Sequence, residues 1–131
     1  MSERYLERSP ISPDRRNERR ARHRRGHWSE LAASALLIAK GYRILAGRWQ
    51  SGAGEVDLIA TRRGRLAFIE VKHRATIEAC EAAIPDQQRR RIRRAADLWL
   101  AKHAFFQSHD IAFDVIFVMP RRLPRHIENG L

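Results

Sequence analysis

Residues 54–72 read GEVDLIATRRGRLAFIEVK. Two apolar runs flank the RRG of positions 62–64, where glycine can take the positive φ of a tight turn. The stretch therefore predicts an antiparallel hairpin with strands over Val56–Thr61 and Leu66–His73. Glu55, Asp57, Glu70 and Lys72 lie within or beside these strands, and a buried charge is costly unless it is paired or binds a metal. Strand side chains alternate between faces, so Glu55 and Asp57 share one face and Glu70 and Lys72 share a face of the neighbouring strand. The short turn makes the two strands adjacent and brings Asp57 toward Glu70.

Two carboxylates a few ångströms apart repel and tend to hold a proton, and a divalent cation relieves that repulsion. Oxygen ligands with open water positions suit Mg²⁺ or Mn²⁺. Lys72 adds a cationic donor beside them. Such a set can position a water, lower its pKa and stabilise charge on a phosphoryl group, as metal-assisted phosphodiester hydrolysis requires. The competing reading is an exposed Glu70–Lys72 ion pair, since E-x-K alone is a common pattern. The apolar strands around both Asp57 and Glu70 argue against a solvated face.

Around the hairpin the chain reads helix, strand, hairpin, helix, strand. Ser29–Lys40 predicts a helix with Ser29 as N-cap, Gly41 as its stop, and Leu31, Ala35, Ile38 and Ala39 as its apolar stripe. YRILAGRW at 42–49 predicts a strand, and QSGAG a loop. Residues 75–84 fit either a helical turn or a loop. From Pro85 or Asp86 to about Lys102 a second helix carries Ile92, Ala95, Ala96 and Trp99 on its apolar stripe, and 111–119 is an apolar strand ended by Pro120. The basic tail RRLPRHIENGL is expected to form an edge or a cover. These elements make a mixed central sheet flanked by helices, an α/β domain over residues 28–131.

Residues 1–27 differ: nine arginines stand against four acids with few apolar residues, so this segment is expected to be a basic, mobile arm that grips phosphates or simply extends into solvent. The whole chain of 131 residues carries a formal charge of +11, which points to phosphate-rich partners, nucleic acid before anionic membrane. Arg89, Arg90, Arg91, Arg93 and Arg94 crowd the second helix with like charges at i, i+4, which repel unless phosphates neutralise them. Arg62, Arg63 and Arg65 form a second basic cluster at the hairpin turn. Of these, Arg62, Arg63, Arg89, Arg90, Arg93 and Arg94 are the expected nucleic-acid contacts, backbone- or structure-selective rather than base-specific. Trp28 and Trp49 either stack on bases or pack against the fold. The single cysteine, Cys80, excludes an intramolecular disulfide, and the chain shows no zinc-ligand cluster. The longest apolar run, residues 31–39, is too short to span a bilayer, and no signal-peptide pattern opens the chain, so no membrane partner and a cytoplasmic location are expected.

The pattern D-x12-E-x-K formed by Asp57, Glu70 and Lys72 resembles the core of the PD-(D/E)xK nucleases, with GEVD replacing the proline-aspartate half. More closely, WSELAASALLIAKGYRILAGRW, GAGEVDLIATRRGRLAFIEVKHR, PDQQRRRIRRAADLWL, AFDVIFV and PRHIENGL are similar to the YraN-like family of small bacterial proteins, over about residues 26–131. The resemblance implies the restriction-endonuclease-like fold with an αβββαβ core. It implies Asp57 and Glu70 as main Mg²⁺ or Mn²⁺ ligands, Glu30 as the helix-borne carboxylate completing the metal site, and Lys72 as the catalytic lysine. Gln88 matches a polar accessory position. Glu55 recurs in the GEVD motif or pairs with an arginine. Where the family's last strand commonly reads Arg-Phe-Asp, this chain reads Ala112-Phe113-Asp114. The implied function is a metal-dependent nuclease acting on DNA rather than RNA, structure-selective, with homodimers common in the fold. The alternatives are a nucleic-acid-binding module of the same fold without efficient catalysis, and a basic structural protein whose GEVD and EVK residues only form ion pairs.

Overall fold

The computed structural model of the chain describes residues 27–131. Helix α1 occupies residues 27–39, followed by β1 (Arg43–Ser51), β2 (Gly54–Arg62), β3 (Arg65–His73), helix α2 (Asp86–Lys102), β4 (Asp110–Val118) and β5 (Arg125–Ile127). Two short 3₁₀ turns, Glu78–Glu81 and Ala104–Ser108, flank α2, and the first settles the stretch left open between residues 75 and 84. The five strands form one mixed sheet in sequential order, parallel only between β3 and β4 and antiparallel elsewhere. A parallel neighbour requires a crossover, and α2 supplies it.

The expected hairpin forms. Arg63 and Gly64 both have positive φ, 47° and 80°, which defines a two-residue type I′ turn whose twist matches the flanking strands. The apolar residues of β2 and β3 then divide between the faces. Leu58, Ala60, Ala67 and Ile69 pack with Ala33 and Leu37 of α1, while Ile59, Leu66 and Phe68 pack with Ile92, Ala95, Ala96 and Trp99 of α2. The α2 stripe is the one expected.

Helix α1 departs from expectation in two ways. Residues 27 and 28 are already helical, so Ser29 lies inside the helix, buried, rather than capping it. Its buried face is Ser29, Ala33 and Leu37, whereas Leu31 and Ile38 are 49% and 61% exposed. Residues 35–39 are apolar throughout, so composition alone does not mark which face turns inward. The expected stop holds. Gly41 takes φ of 90°, its N–H donates to Ile38 O and the Tyr42 N–H donates to Leu37 O, the paired bonds of a Schellman end. Trp28 is exposed, while Trp49 packs on the α2 side of the sheet.

The basic tail adds an edge strand, with Ile127, His126 and Arg125 opposite Val115, Ile116 and Phe117. It is fastened through Asp114, which is fully buried on β4. The carboxylate accepts from both terminal nitrogens of Arg65 at 2.6 and 2.8 Å, from His126 Nε2 at 2.7 Å and from the Asn129 N–H at 2.8 Å. Arg65 also donates to Tyr42 Oη, and Lys40 Nζ reaches His126 Nδ1 at 2.6 Å, so one buried acid joins the end of α1, the hairpin and the tail.

At the other end of the hairpin, the β1–β2 connection lies directly on α2. A Cβ on Gly54 would meet Ala95 N at 2.7 Å and Ala95 Cα at 2.8 Å, both backbone atoms that cannot turn aside. Gly54→Ala is therefore expected to lower the unfolding free energy by about 1–3 kcal/mol in a urea titration, with equal stability to the parent counting against this contact.

Candidate functional site

The carboxylates emerge where the β2–β3 ladder opens. Pairing runs from Arg62↔Arg65 to Leu58↔Ile69, and the next step of that register sets Asp57 opposite Glu70. Here a side chain takes over from the backbone: Asp57 Oδ2 accepts from the Val71 N–H at 2.8 Å. Asp57 and Glu70 thus project on the α2 side, as the alternation predicts, and line a cleft of about 150 Å³ with Glu55, Gln88, Arg91 and Ile92. Lys72 Nζ lies 3.2 Å from Glu70 Oε1, on the same face two residues along β3.

The electrostatics follow from this placement. Burial, then the charge of Glu70, with smaller contributions from Glu30 and Glu55, push the Asp57 carboxyl up to about 7 despite the Val71 N–H. Burial also raises Glu70, with Lys72 opposing it, and Asp57 is within hydrogen-bonding reach. The two acids sit close enough to share a proton near neutrality.

Glu30 does not line this cleft. Both its oxygens lie 2.7 Å from Arg48 Nε, although its charge still bears on Asp57. The third carboxylate of the expected set is thus paired with a cation rather than turned to the cleft. A different oxygen is available. Gln88 Oε1 is buried with no hydrogen-bond partner among the described residues, and its residue lines the same cleft. Two carboxylates and an unpaired amide oxygen are hard donors of the kind Mg²⁺ or Mn²⁺ takes, leaving positions for water. The donor set fits such an ion.

The expected arginines separate. Arg90, Arg91 and Arg94 line a groove of about 460 Å³ with Gln50, Gln87 and the Gly52–Gly54 connection, and Glu55 and Arg91 belong to both groove and cleft. Arg91 comes within 3.8 Å of Glu55, the arginine pairing expected for that acid. Arg93 instead lies over the Phe113 ring at 4.5 Å, and Arg89 faces a different cavity. Arg62 donates to Lys40 O and lies over Tyr42, serving the end of α1. Arg63 stands exposed at the turn, six residues from Asp57 along the strand, roughly 20 Å away. Sequence reasoning did not single out Gln50, Gln87 or Arg48. The first two lacked any signal, and the positive φ of 48° at Arg48 marks a local kink that no residue type announced.

Residues 29–118 match the model of the uncharacterised protein family UPF0102. The chain belongs to this family. A UPF0102 protein from Methylorubrum extorquens is 46% identical over 94% of both chains. Another from Bradyrhizobium sp. is 49% identical over 84% of this chain and 78% of its own, and one from Agrobacterium fabrum is 46% identical over 84% and 90%. The match spans α1 to β4, and so every residue of the cleft. The family is the one that the quoted sequence pieces resemble. No helix among the described residues is long and apolar enough to cross a membrane.

Proposed function

We propose that this UPF0102 member is a restriction-endonuclease-like nuclease of the cytoplasm that hydrolyses phosphodiester bonds in DNA with Mg²⁺ or Mn²⁺. The observation that carries this reading is the Asp57–Glu70 pair beside Lys72, in a cleft that opens into an arginine-lined groove. Two adjacent carboxylates with one raised to about 7 are poorly suited to stand alone at neutral pH and well suited to a dication. Asp57, Glu70 and Gln88 Oε1 would hold the ion. When bound, it would supply a water of lowered pKa and neutralise charge on the phosphoryl group. Val71 fixes the Asp57 carboxylate through its N–H, so the ligand is oriented by the sheet itself. Lys72, released from Glu70, donates to a phosphate oxygen, and Arg90, Arg91 and Arg94 hold the flanking phosphates as point and forked donors.

The test is cleavage of a labelled panel of single-stranded, duplex, flap and four-way-junction DNA, and RNA, in Mg²⁺ and in Mn²⁺. The parent should cut at least one DNA substrate, Asp57→Asn and Glu70→Gln should not, and Lys72→Ala should be roughly 100- to 1,000-fold slower with binding retained. Equal cutting by parent and all variants would overturn the assignment.

The hold of Arg48 on Glu30 favours a second reading, a DNA-binding module of the same fold without efficient catalysis. Under it the parent retains the DNA panel but cuts none of it, and Arg48→Ala does not create activity.

A further inference from the structure

Continuing the strand register across the sheet gives two rows. Glu70 pairs with Val115 and Val115 with Ile127; Lys72 pairs with Phe117 and Phe117 with Arg125. Side chains of paired residues share a face, so the α2-facing side chains of β4 and β5 lie beside the candidate centre, one and two strand spacings of about 4.8 Å from β3. On that side the structure holds a separate cavity of about 340 Å³. Ile84, Val115, Phe117 and Ile127 give it apolar walls, and Arg89 and Arg125 stand at its edge. Its size falls within the roughly 300–1,000 Å³ of small-molecule sites.

One polar atom of a lining residue is unexplained. Arg89 Nε is buried with no hydrogen-bond partner among the described residues. Native structures pair such groups, with protein, water or a ligand. The occupant that suits the cavity is flat and apolar, carries an acceptor on its edge for Arg89, and is attached to an anion that Arg125 can reach. A nucleobase on its sugar–phosphate chain has all three properties.

We propose that this cavity receives a nucleobase of the strand whose phosphate lies at Asp57, Glu70 and Lys72. The inference rests on the nucleic-acid reading above and adds to it a second flank. Phosphates run along the arginine groove on the β1–β2 side of the centre, and one base turns into the β4–β5 side. Arg89 is then a base contact rather than one more phosphate contact, which explains why it parts from Arg90 and Arg94. Binding of a base in an apolar slot is shape-selective and tolerant of sequence, so the slot demands an unstacked base and favours single-stranded or frayed DNA.

The experiment uses the full chain without divalent metal and a set of single-stranded DNA octamers, each with 2-aminopurine at one position. One position should change its emission on binding while the others change little. Ala83→Phe, which fills the cavity from an exposed wall residue, should abolish that change and weaken octamer binding by roughly 5- to 150-fold. Arg89→Met, which keeps the apolar stem and removes the donor, should weaken the same position's response with the unfolding midpoint unchanged. Arg94→Ala should weaken binding without selecting a position, because it acts on phosphates. Uniform emission at all positions, or Ala83→Phe binding like the parent, overturns the base slot while leaving the nuclease reading intact. Failure of the parent to bind any octamer overturns the slot and the nucleic-acid reading together.

Discussion

Asp114→Ala is expected to lower the unfolding free energy by about 3–5 kcal/mol, the largest loss from any single substitution outside the apolar core. The carboxylate is wholly buried and accepts from Arg65, His126 and the Asn129 N–H. Alanine would leave the Arg65 charge and the Asn129 N–H without their acceptor, and the tail strand without its fastening. Burial on its own would raise this carboxyl, but the bonds from His126, Arg65 and Asn129 outweigh it and hold it at about 2. A depressed folded pKa contributes stability above the unfolded value of 3.8 and loses it as pH falls toward 2, here about 2–3 kcal/mol. Guanidinium titrations of parent and variant at pH 6 and pH 3 measure both effects. The gap between them should be wide at pH 6 and narrower at pH 3. A variant within 1 kcal/mol of the parent at pH 6 would mean that the network holds nothing.

Asp57 should act in the opposite sense. Its folded pKa is raised from 3.8 to about 7, so the metal-free protein is fully supported below pH 3.8 by this group and loses that support as pH rises through 7. The shift corresponds to about 4 kcal/mol by pH 8. Asp57→Asn keeps an oxygen for the Val71 N–H and cannot ionise, so it should be more stable than the parent at pH 8 and similar to it at pH 4. Mg²⁺ or Mn²⁺ should raise the parent's melting temperature at pH 8, by the equivalent of about 2.7 kcal/mol when the ion is at a hundred times its Kd, and should leave Asp57→Asn unmoved. Thermal scans at pH 4 and pH 8, with and without metal, separate these cases. The same metal response in parent and variant would place any bound ion elsewhere. Together the two aspartates contribute most to the metal-free protein near pH 4, where Asp114 has regained most of its support and Asp57 has lost little of its own.

The hairpin was legible because three signals agreed: two apolar runs, a glycine in the short turn between them, and charges at matching offsets. Period two placed Glu70 and Lys72 on one face of their strand, but that Asp57 shares this face follows from the register, which only the structure fixes. The inward face of α1 was not legible, because ALLIA offers apolar residues in every direction and the buried Ser29, Ala33 and Leu37 are no more apolar than the exposed Leu31 and Ile38. The pairing of Glu30 with Arg48 required knowing that a strand eighteen residues later bends back to it. The Asp114 network draws on Arg65, His126 and Asn129, far apart in the chain and meeting only when the sheet is complete. The three-residue β5, between Pro124 and Glu128, has too short a pattern to separate from a loop.

Helix α2 stands between the two openings. Arg91 and Gln88 look toward the carboxylate cleft, Arg89 toward the apolar cavity, and the contact of Gly54 with Ala95 sits further along the same rod. With no side chain on Gly54, strand and helix backbones meet there directly. The turns before that contact carry Gln88, Arg89 and Arg91 together, so one helix registers the carboxylate cleft and the apolar cavity against each other.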